Sequence, residues 1–592
     1  MVVRTLTNTG DPIVDGSGHA MAGIAINFTL VDGTGKKTDG WDVSTGERVV
    51  PGPVRVLTDS NGVFTVALWP TSRGDRPLYW KCSVELDGVQ DFKSQVLDLP
   101  ETLQWFYFRF GLGASGELGS VLAPVAVRKL RPGLYPLPGD FPNPLGAQIY
   151  CNGSVFKFLD PLYDLLDFTL AGGVTKYYVS YATGTDSGAG TTSGAPWKTL
   201  AYAAAHASYP AVIQLLDEQI GYLSLGGSIT FTGSVKIKGA TSARRTMVTA
   251  KRESWEGGFS WVSAGSGCYK SNTHFSSAQF YAFFDALYRD DVGGPSPMTI
   301  AASSAACITT PNSVFWDGSY MYAHMVDGRA PDANFIYCES PYYSLFYVTG
   351  AHTVLFEDLD FISNTGLGGS AAFYSRNTVV DGSAASRLGM KNCLSYGAAS
   401  NAFEIKDHAV VVMSDCHARY AHNDGFNYHS LNSSGTMGAY MTVYEEGCTS
   451  LQTGYQGWNA QTAPSGSDNG STCHDGIRIC RVNCSYTEAK GGVVADVLGA
   501  DSQNYGITAS ESNLASGAMK ACFWYDRNPD YPGVTPRMRL TGCAGFNGRN
   551  GDYLISATTT SGAGPDVRVD QWLGDVAGAV NGTLKDMSGT TL

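Results

Sequence analysis

The sequence predicts an all-β protein: a long stack of parallel β-coils, a solenoid, preceded by a small antiparallel β-sandwich. Three observations point there. The composition is apolar and turn-rich, with 43% hydrophobic residues, 16% charged, 12% aromatic and 71 glycines in 592 residues; long helical patterns are scarce. The first 110 or so residues read as short alternating runs broken by turn residues. Further on, one frame recurs: a cysteine followed ten positions later by a large apolar residue. At this length more than one domain is expected.

In order along the chain, residues 1–112 hold "GIAINFTLVDG", "GPVRVLTDSNGVFTVALWP", "LYWKCSVELDG" and "LQWFYFRFG", with Asp59-Ser60-Asn61-Gly62 as a tight turn. Residues 113–172 are rich in Gly, Pro and Leu and read as a linker or neck. From 173 to 556 the solenoid is expected, opening on "TKYYVSYATGTDSGAGTTSGAPWKTLAYAAAHA", a strand, a Gly/Ser/Thr loop and a short Ala-rich helix that caps the open end of the stack. Residues 557–592 form a plain C-terminal segment.

The frame starts at Cys393, Cys416, Cys448, Cys484 and Cys543 and ends at Phe403, Phe426, Trp458, Val494 and Tyr553. Asn392, Asp415, Gly447, Asn483 and Gly542 precede the cysteines, all residues that tolerate the left-handed backbone of a sharp corner. The first spacing, 23 residues, is about one coil; the later ones, 32, 36 and 59, call for loop insertions or a skipped rung. Cysteine and apolar residue should then point inward and form buried ladders.

Alternation along each strand predicts an outward polar wall. "FEIKD" puts Glu404 and Lys406 outside, "FNYHS" Asn427 and His429, and "WNAQT" Asn459 and Gln461. "CFWYD" leaves Trp524 and Asp526 outside. "GGVVADV" fits two registers; placing Val493, Ala495 and Val497 inside keeps Asp496 outside and avoids an unpaired buried carboxylate, at the cost of slipping one residue from the cysteine frame. Five of the ten histidines (His408, His417, His422, His429, His474) fall within residues 408–474. Amides, carboxylates and an aromatic on one wall suit an extended sugar chain; the plainer alternative is a solvated sheet face. Glu445 and Glu446 read as turn or rung-edge residues.

The opening segment, with Val179, Ser180, Gly184, Asp186, Ser187, Pro196, Thr199 and Leu200, resembles the start of right-handed parallel β-helix proteins. The N-terminal runs resemble the prealbumin-like or immunoglobulin-like modules near the N-termini of phage tail fibres, where they serve virion attachment or assembly. "NDGFNYH", "STCHDG" and "GGVVAD" look like motifs of tailspikes and pectate-lyase-like β-helices, so residues 175–556 resemble a phage tailspike polysaccharide depolymerase. The resemblance implies a homotrimer at the virion tail, made in the host cytoplasm. It implies cleavage of a bacterial surface polysaccharide (capsule, exopolysaccharide or O-antigen) and N-terminal docking onto other tail or baseplate proteins. Non-catalytic receptor-binding fibre, cellular lyase or epimerase, and purely structural virion protein are the alternatives.

Two chemistries fit. Hydrolysis needs two carboxylates flanking the bond, from Glu404, Asp424, Asp475 and Asp496. β-Elimination needs a base and a cation beside a uronate, from His429, His474, Lys406 and Lys490. Carboxylates outnumber bases, which favours hydrolysis slightly. For each residue a structural role, such as turn-making by Asp424 or Asp475, competes with catalysis. No cofactor or metal is expected: His422, Asp424 and His429, His474 with Asp475, and "CRVNC" (480–484) lack a full ligand set. The net charge of −13 argues against nucleic acid as partner and weakly against anionic membranes. The N-terminus lacks a signal-like apolar run and no stretch is long enough to span a membrane, so a chain made in a cytoplasm is expected.

Overall fold

A computed structural model gives the architecture. Before residue 130 it describes residues 4–7, 25–32, 40–41, 48–49, 54–60, 65–68, 78–86 and 89–97. From 130 on it describes the chain except 154, 167, 169–172, 218, 221–227, 242–244, 250–259, 273–279, 290–291, 333, 340–343, 363–370, 379–384, 399, 430–440, 455–467, 511–520, 527–533, 547–554, 559–565, 572–583 and 587–592. The chain divides into two compact units, 1–127 and 128–592.

In the first unit, Val54–Leu57, Ala25–Asp32, Leu78–Leu86 and Val89–Leu97 form an antiparallel sheet in that order, beside two two-stranded pairs. Alternation in "AINFTLVD" buries Ile26, Phe28 and Leu30 completely.

The second unit is the parallel β-helix. Three sheets of twelve, nine and nine strands run along it, every neighbouring pair parallel. One coil shows the plan: Arg387–Lys391 in the first sheet, a corner at Asn392-Cys393, Leu394–Tyr396 in the second sheet, then Phe403–Lys406 in the third. The next coil repeats it with Val410–Ser414, Asp415-Cys416, His417–Arg419 and Phe426–His429. The corner residues adopt the left-handed backbone, φ 49° at Asn392 and Asp415, 51° at Asn483 and 64° at Gly447. Cys393, Cys416, Cys448, Cys484 and Cys543 all lie buried behind them. The skipped rung is real: Gly506, with φ 66°, and Ile507 make a corner of the same shape without a cysteine.

Phe373, Phe403 and Phe426 stack in one inward column, with ring centroids 5.9 and 5.1 Å apart. Each contributes about 2–3 kcal/mol by leaving water. The column continues through Ser471, Val494 and Phe523, so the third-sheet strand after Phe426 is Ser471–Cys473 and not "WNAQT". The +10 rule fails there because the chain inserts residues between Thr453 and Asp468; Trp458, Asn459 and Gln461 lie outside the described residues, as does Tyr553.

The register also corrects Asp496. It pairs with Cys473 and Tyr525 in an inward column and is fully buried. The cysteine frame holds without a slip. What makes it tolerable is Arg481, also fully buried, whose Nη1 and Nη2 donate to Asp496 at 2.9 and 2.8 Å. Arg481 Nε donates to Ser471 Oγ at 2.9 Å and lies 3.7 Å from Glu445, which meets Tyr486. Glu445 is therefore a core residue, not a rung edge.

Residues 130–168, in the stretch that reads as a neck, fold onto the outside of the first sheet. Gly133–Tyr135, Ile149–Cys151 and Phe156–Phe158 make an antiparallel sheet, followed by the helix Leu162–Leu165. Phe156, Phe158 and Tyr163 pack on Val410, Val412, Tyr444 and Tyr505. This explains the unbroken run "VVVM": strand 410–414 is buried on both faces. At the other end the stacking runs past 556, to Val567–Asp570 and Leu584–Asp586 in the first sheet.

The leading strand Thr175–Val179 and capping helix Leu200–His206 form as the sequence predicts, with Thr199 Oγ1 accepting from Tyr202 N at 3.1 Å. An excursion the sequence did not signal leaves the coil between Thr246–Thr249 and Ser344–Val348. It builds a five-stranded and a three-stranded sheet and a helix, Ser304–Thr309. Phe284 and Ile336 of this excursion pack against Tyr396 and Tyr420 on the outer face of the second sheet.

Candidate functional site

The outward residues of the third sheet form two columns fixed by parallel register. One runs Tyr374, Glu404, Asn427, Thr472, Ala495, Trp524. The other runs Tyr347, Arg376, Lys406, His429; His474 follows one rung on, its ring centroid 5.0 Å from that of His429. Successive rungs are about 4.8 Å apart. Asp526 ends the strand Phe523–Asp526 on the same edge, so His429 and Asp526 share one wall.

The first column is shielded despite pointing outward: Glu404 is 4% exposed and Asn427 and Trp524 are each 8% exposed. Trp524 packs with Ala495, Val497 and Ala521. Lys406 pairs with Glu404 and lies 5.4 Å from the ring centroid of Tyr374. Arg376 Nε donates to Asp407 at 3.2 Å.

His429 is the open acid–base group. Its Nδ1 meets Asp475 Oδ2, and 35% of its side chain is exposed. Among the described residues no hydrogen bond reaches Nε2. Asp475 sits at a left-handed turn, φ 59°, which aims its carboxylate back at the strand end. A carboxylate on Nδ1 fixes the tautomer that leaves Nε2 as acceptor. His474 contacts Thr472 Oγ1 through Nε2 at 3.2 Å; burial first, then the like charge of His429, pull it down to about 4, so it is neutral at pH 7.

Asp424 lies in the corner before the third sheet, in a column with Asn401 and Asn469. Asn469 N and Nδ2 donate to its Oδ1 at 2.8 and 3.0 Å, and Asn427 Nδ2 donates to Oδ2 at 2.6 Å. It is 2% exposed, and burial outweighs these bonds, pushing it up to about 8. Asp468, one column away, is fully buried, and among the described residues neither of its carboxylate oxygens has a hydrogen-bond partner. Burial raises it to about 6, against the pull of Lys490. Lys490 lies at this corner, far along the wall from His429, its own pKa lowered by burial.

The histidine cluster thus disperses. His408 is buried between Ser375 and Ser386, at 3.0 and 3.1 Å. His417 Nδ1 contacts Thr449 Oγ1 at 2.8 Å on the second sheet. Cys480 packs toward residues 130–168 while Cys484 faces the coil interior, so "CRVNC" points two ways. Among the described residues one trio, Glu445, Cys448 and Cys484, brings donor atoms within 4.8 Å of one another. Glu445 already accepts from Ser471 and Tyr486 and faces the Arg481 guanidinium, an arrangement that fits a core network better than a cation.

Sequence reasoning missed Tyr347, Tyr374, Arg376, Asp468 and Asn469. "FYSRN" (373–377) alternates just as "FEIKD" does, but its coil turns at Asp358-Leu359, without a cysteine to flag it. "DNG" (468–470) repeats "NDG" (423–425) one rung on.

No family model matches the sequence, and no curated protein matches it. Among solved structures it is similar to pectate lyase Pel9A, with 11% identity over 71% of this chain and 82% of that one at a TM-score of 0.32. It is similar to XylC in complex with xylose at 9% identity, 69% of this chain, 67% of that one and TM-score 0.28. A third is tailspike protein 3 of bacteriophage CBA120, at 11% identity, 92% of this chain, 76% of that one and TM-score 0.19. At such scores none of them bears on the chemistry of this chain; the fold rests on its own strand pairing. No helix among the described residues is long and apolar enough to cross a membrane.

Proposed function

We propose that the protein binds and cleaves a bacterial surface polysaccharide along the outer face of the third sheet, with His429 as the general base. The observation that carries this is the His429–Asp475 pair, its imidazole 35% exposed and its Nε2 without a hydrogen bond among the described residues, at the lip of a polar, aromatic wall. Glu404 is tied to Lys406, Asp475 to His429, and Asp496 lies inside, so the carboxylate pool that favoured hydrolysis has shrunk. β-Elimination on a uronate-containing chain suits what remains. His429 Nε2 takes the proton beside the uronate carboxylate, and Arg376, which is 31% exposed and bonds Asp407 through Nε, turns its Nη groups to neutralise that carboxylate. The electron pair becomes the new C=C bond as the glycosidic C–O bond breaks, and the imidazolium returns its proton to the departing oxygen. Asp475 stabilises the imidazolium between those steps.

A second reading rests on Asp424 and Asp468, two buried acids on neighbouring rungs that burial keeps partly protonated near neutrality, beside Asn427. Such a pair belongs to glycoside hydrolysis. Incubation with host polysaccharides separates the two: elimination yields ultraviolet-absorbing unsaturated uronate ends, whereas hydrolysis yields reducing ends without them. Unchanged chain length with every surface polysaccharide of a susceptible host sinks both. For elimination, His429→Ala and Asp475→Asn are expected to slow cleavage by about 10²–10⁴-fold in folded protein; full activity in His429→Ala excludes it as the base.

The antiparallel first unit followed by a β-helix is the organisation expected of a phage tailspike. On that basis we place the protein at the virion tail as a homotrimer, residues 1–112 docking onto tail or baseplate proteins, and the polysaccharide as its receptor.

A further inference from the structure

The excursion between the second and third sheets carries an outward surface with no part in the chemistry above. Its five-stranded sheet buries one face, with Val314, Met321 and Ala323 in a small core, and the helix Ser304–Thr309 covers one end of the other, where Cys307 meets Cys268, Ser313 and His324. The opposite face presents a cross-strand row. Val262 pairs with Lys270, Lys270 with Tyr322, and Tyr322 with Phe315. Paired residues in antiparallel strands project to the same side, so the row spans four strands, about 14 Å at the usual strand spacing. Tyr320, from the turn leading into Met321–His324, completes it.

Lys270 is the centre of this row. Its Nζ lies 4.0 Å from the Tyr320 ring centroid and 5.7 Å from that of Tyr322. No carboxylate pairs with it among the described residues; Asp317, in the same turn as Tyr320, is occupied by the backbone N–H groups of Ser319 and Tyr320 at 2.9 and 2.7 Å. Val262 is 52% exposed, and Lys270, Phe315, Tyr320 and Tyr322 are half-buried: they are held by the sheet yet reachable. In a chain with a net charge of −13, an ammonium framed by two phenol rings, with no carboxylate partner among the described residues, is a local exception.

We propose that this face is a second carbohydrate-binding surface, separate from the third-sheet wall, that holds an anionic glycan chain. The ring faces of Tyr322 and Phe315 offer flat apolar area for the C–H faces of pyranose units. The Tyr322 hydroxyl offers a hydrogen bond to a sugar hydroxyl. Lys270 supplies the charge partner for a uronate or other sugar carboxylate, an attraction that salt weakens. A neutral glycan leaves that ammonium uncompensated, and a bare anion gains nothing from the rings. Because the excursion packs on the second sheet, a polymer held here is retained near the cleaving wall without occupying it.

The test is affinity electrophoresis of the full chain through gels containing polygalacturonate, hyaluronate or polysialic acid, with dextran as the neutral control. Retardation by at least one anionic polymer and not by dextran is expected, and it should fade as salt is raised. Lys270→Glu and Tyr322→Ala should each weaken retardation at least tenfold, with thermal midpoints near wild type for Lys270→Glu, which alters only the outer face. His429→Ala should remain retarded, which separates this surface from the cleavage proposal whether or not that proposal holds. Absence of retardation by all three anionic polymers, or retention unchanged in Lys270→Glu, overturns the inference.

Discussion

At Asp424 desolvation and hydrogen bonding oppose each other, and desolvation wins. A native pKa raised from 3.8 to about 8 means that the folded protein binds more protons than the unfolded chain between those values. The stability this lends is complete below about pH 4 and is lost as pH rises toward 8. Asp424→Asn should remove the loss. Its amide matches Asn401 and Asn469 in the same column, and rotation of the Asn427 amide would let its Oδ1, which has no partner among the described residues, accept the new N–H. The variant's thermal midpoint is expected to exceed wild type at pH 8 and to meet it near pH 4–5; a lower midpoint at pH 8 would show that the native carboxyl is ionised. His408 acts in the opposite sense. Burial lowers it to about 3, so it stays neutral in the native state while the unfolded imidazole protonates near 6.5. Its contribution is present above about pH 6.5 and is lost as pH falls toward 3. His408→Gln should therefore flatten the acid side of a midpoint-against-pH curve.

At the level of strands and corners, two devices fix the register. The left-handed corners tolerate Asn, Asp and Gly and penalise branched side chains. Asn483→Val, at φ 51°, is expected to cost about 1–2 kcal/mol in denaturant unfolding, whereas Asn483→Gly should stay close to wild type. The second device is the buried Arg481–Asp496 pair. Asp496→Ala strands a guanidinium in the coil interior and is expected to cost about 3–5 kcal/mol. Replacing both partners together with apolar residues should cost less than that single change, because no charge is then left unpaired. A double variant worse than Asp496→Ala would mean that the wider network with Glu445 and Ser471 dominates the pair.

Across the second unit, the first sheet depends on a cover. Removing residues 1–172 would bare Leu355, Val410, Val412 and Tyr444, which pack beneath residues 130–168. A chain starting at 128 is expected to stay soluble and to melt cooperatively, whereas one starting at 173 should aggregate or melt far lower, because a large apolar face is opened to water. Equal solubility and equal melting of the two would show that this cover contributes little.

The sequence by itself determined the coil. The left-handed corner residues, the cysteines behind them and the strand alternation are local rules, and they placed Glu404, Lys406, Asn427 and His429 on one outward wall. Tertiary structure alone decided where length and partners intervene. Loop insertions made Ser471–Cys473 the rung after Phe426, which no fixed +10 spacing can foresee, since inserted loops cost the stack little. Whether Asp496 faces in or out turned on Arg481, fifteen residues earlier in the chain yet on a different wall of the coil. Of the five clustered histidines, His429 is the one whose Nδ1 meets Asp475 at the open end of a third-sheet strand, whereas the fold sends His408 inward and His417 to another sheet. Charge pairing and exposure are properties of neighbours in space, and a solenoid supplies those neighbours from coils apart in sequence.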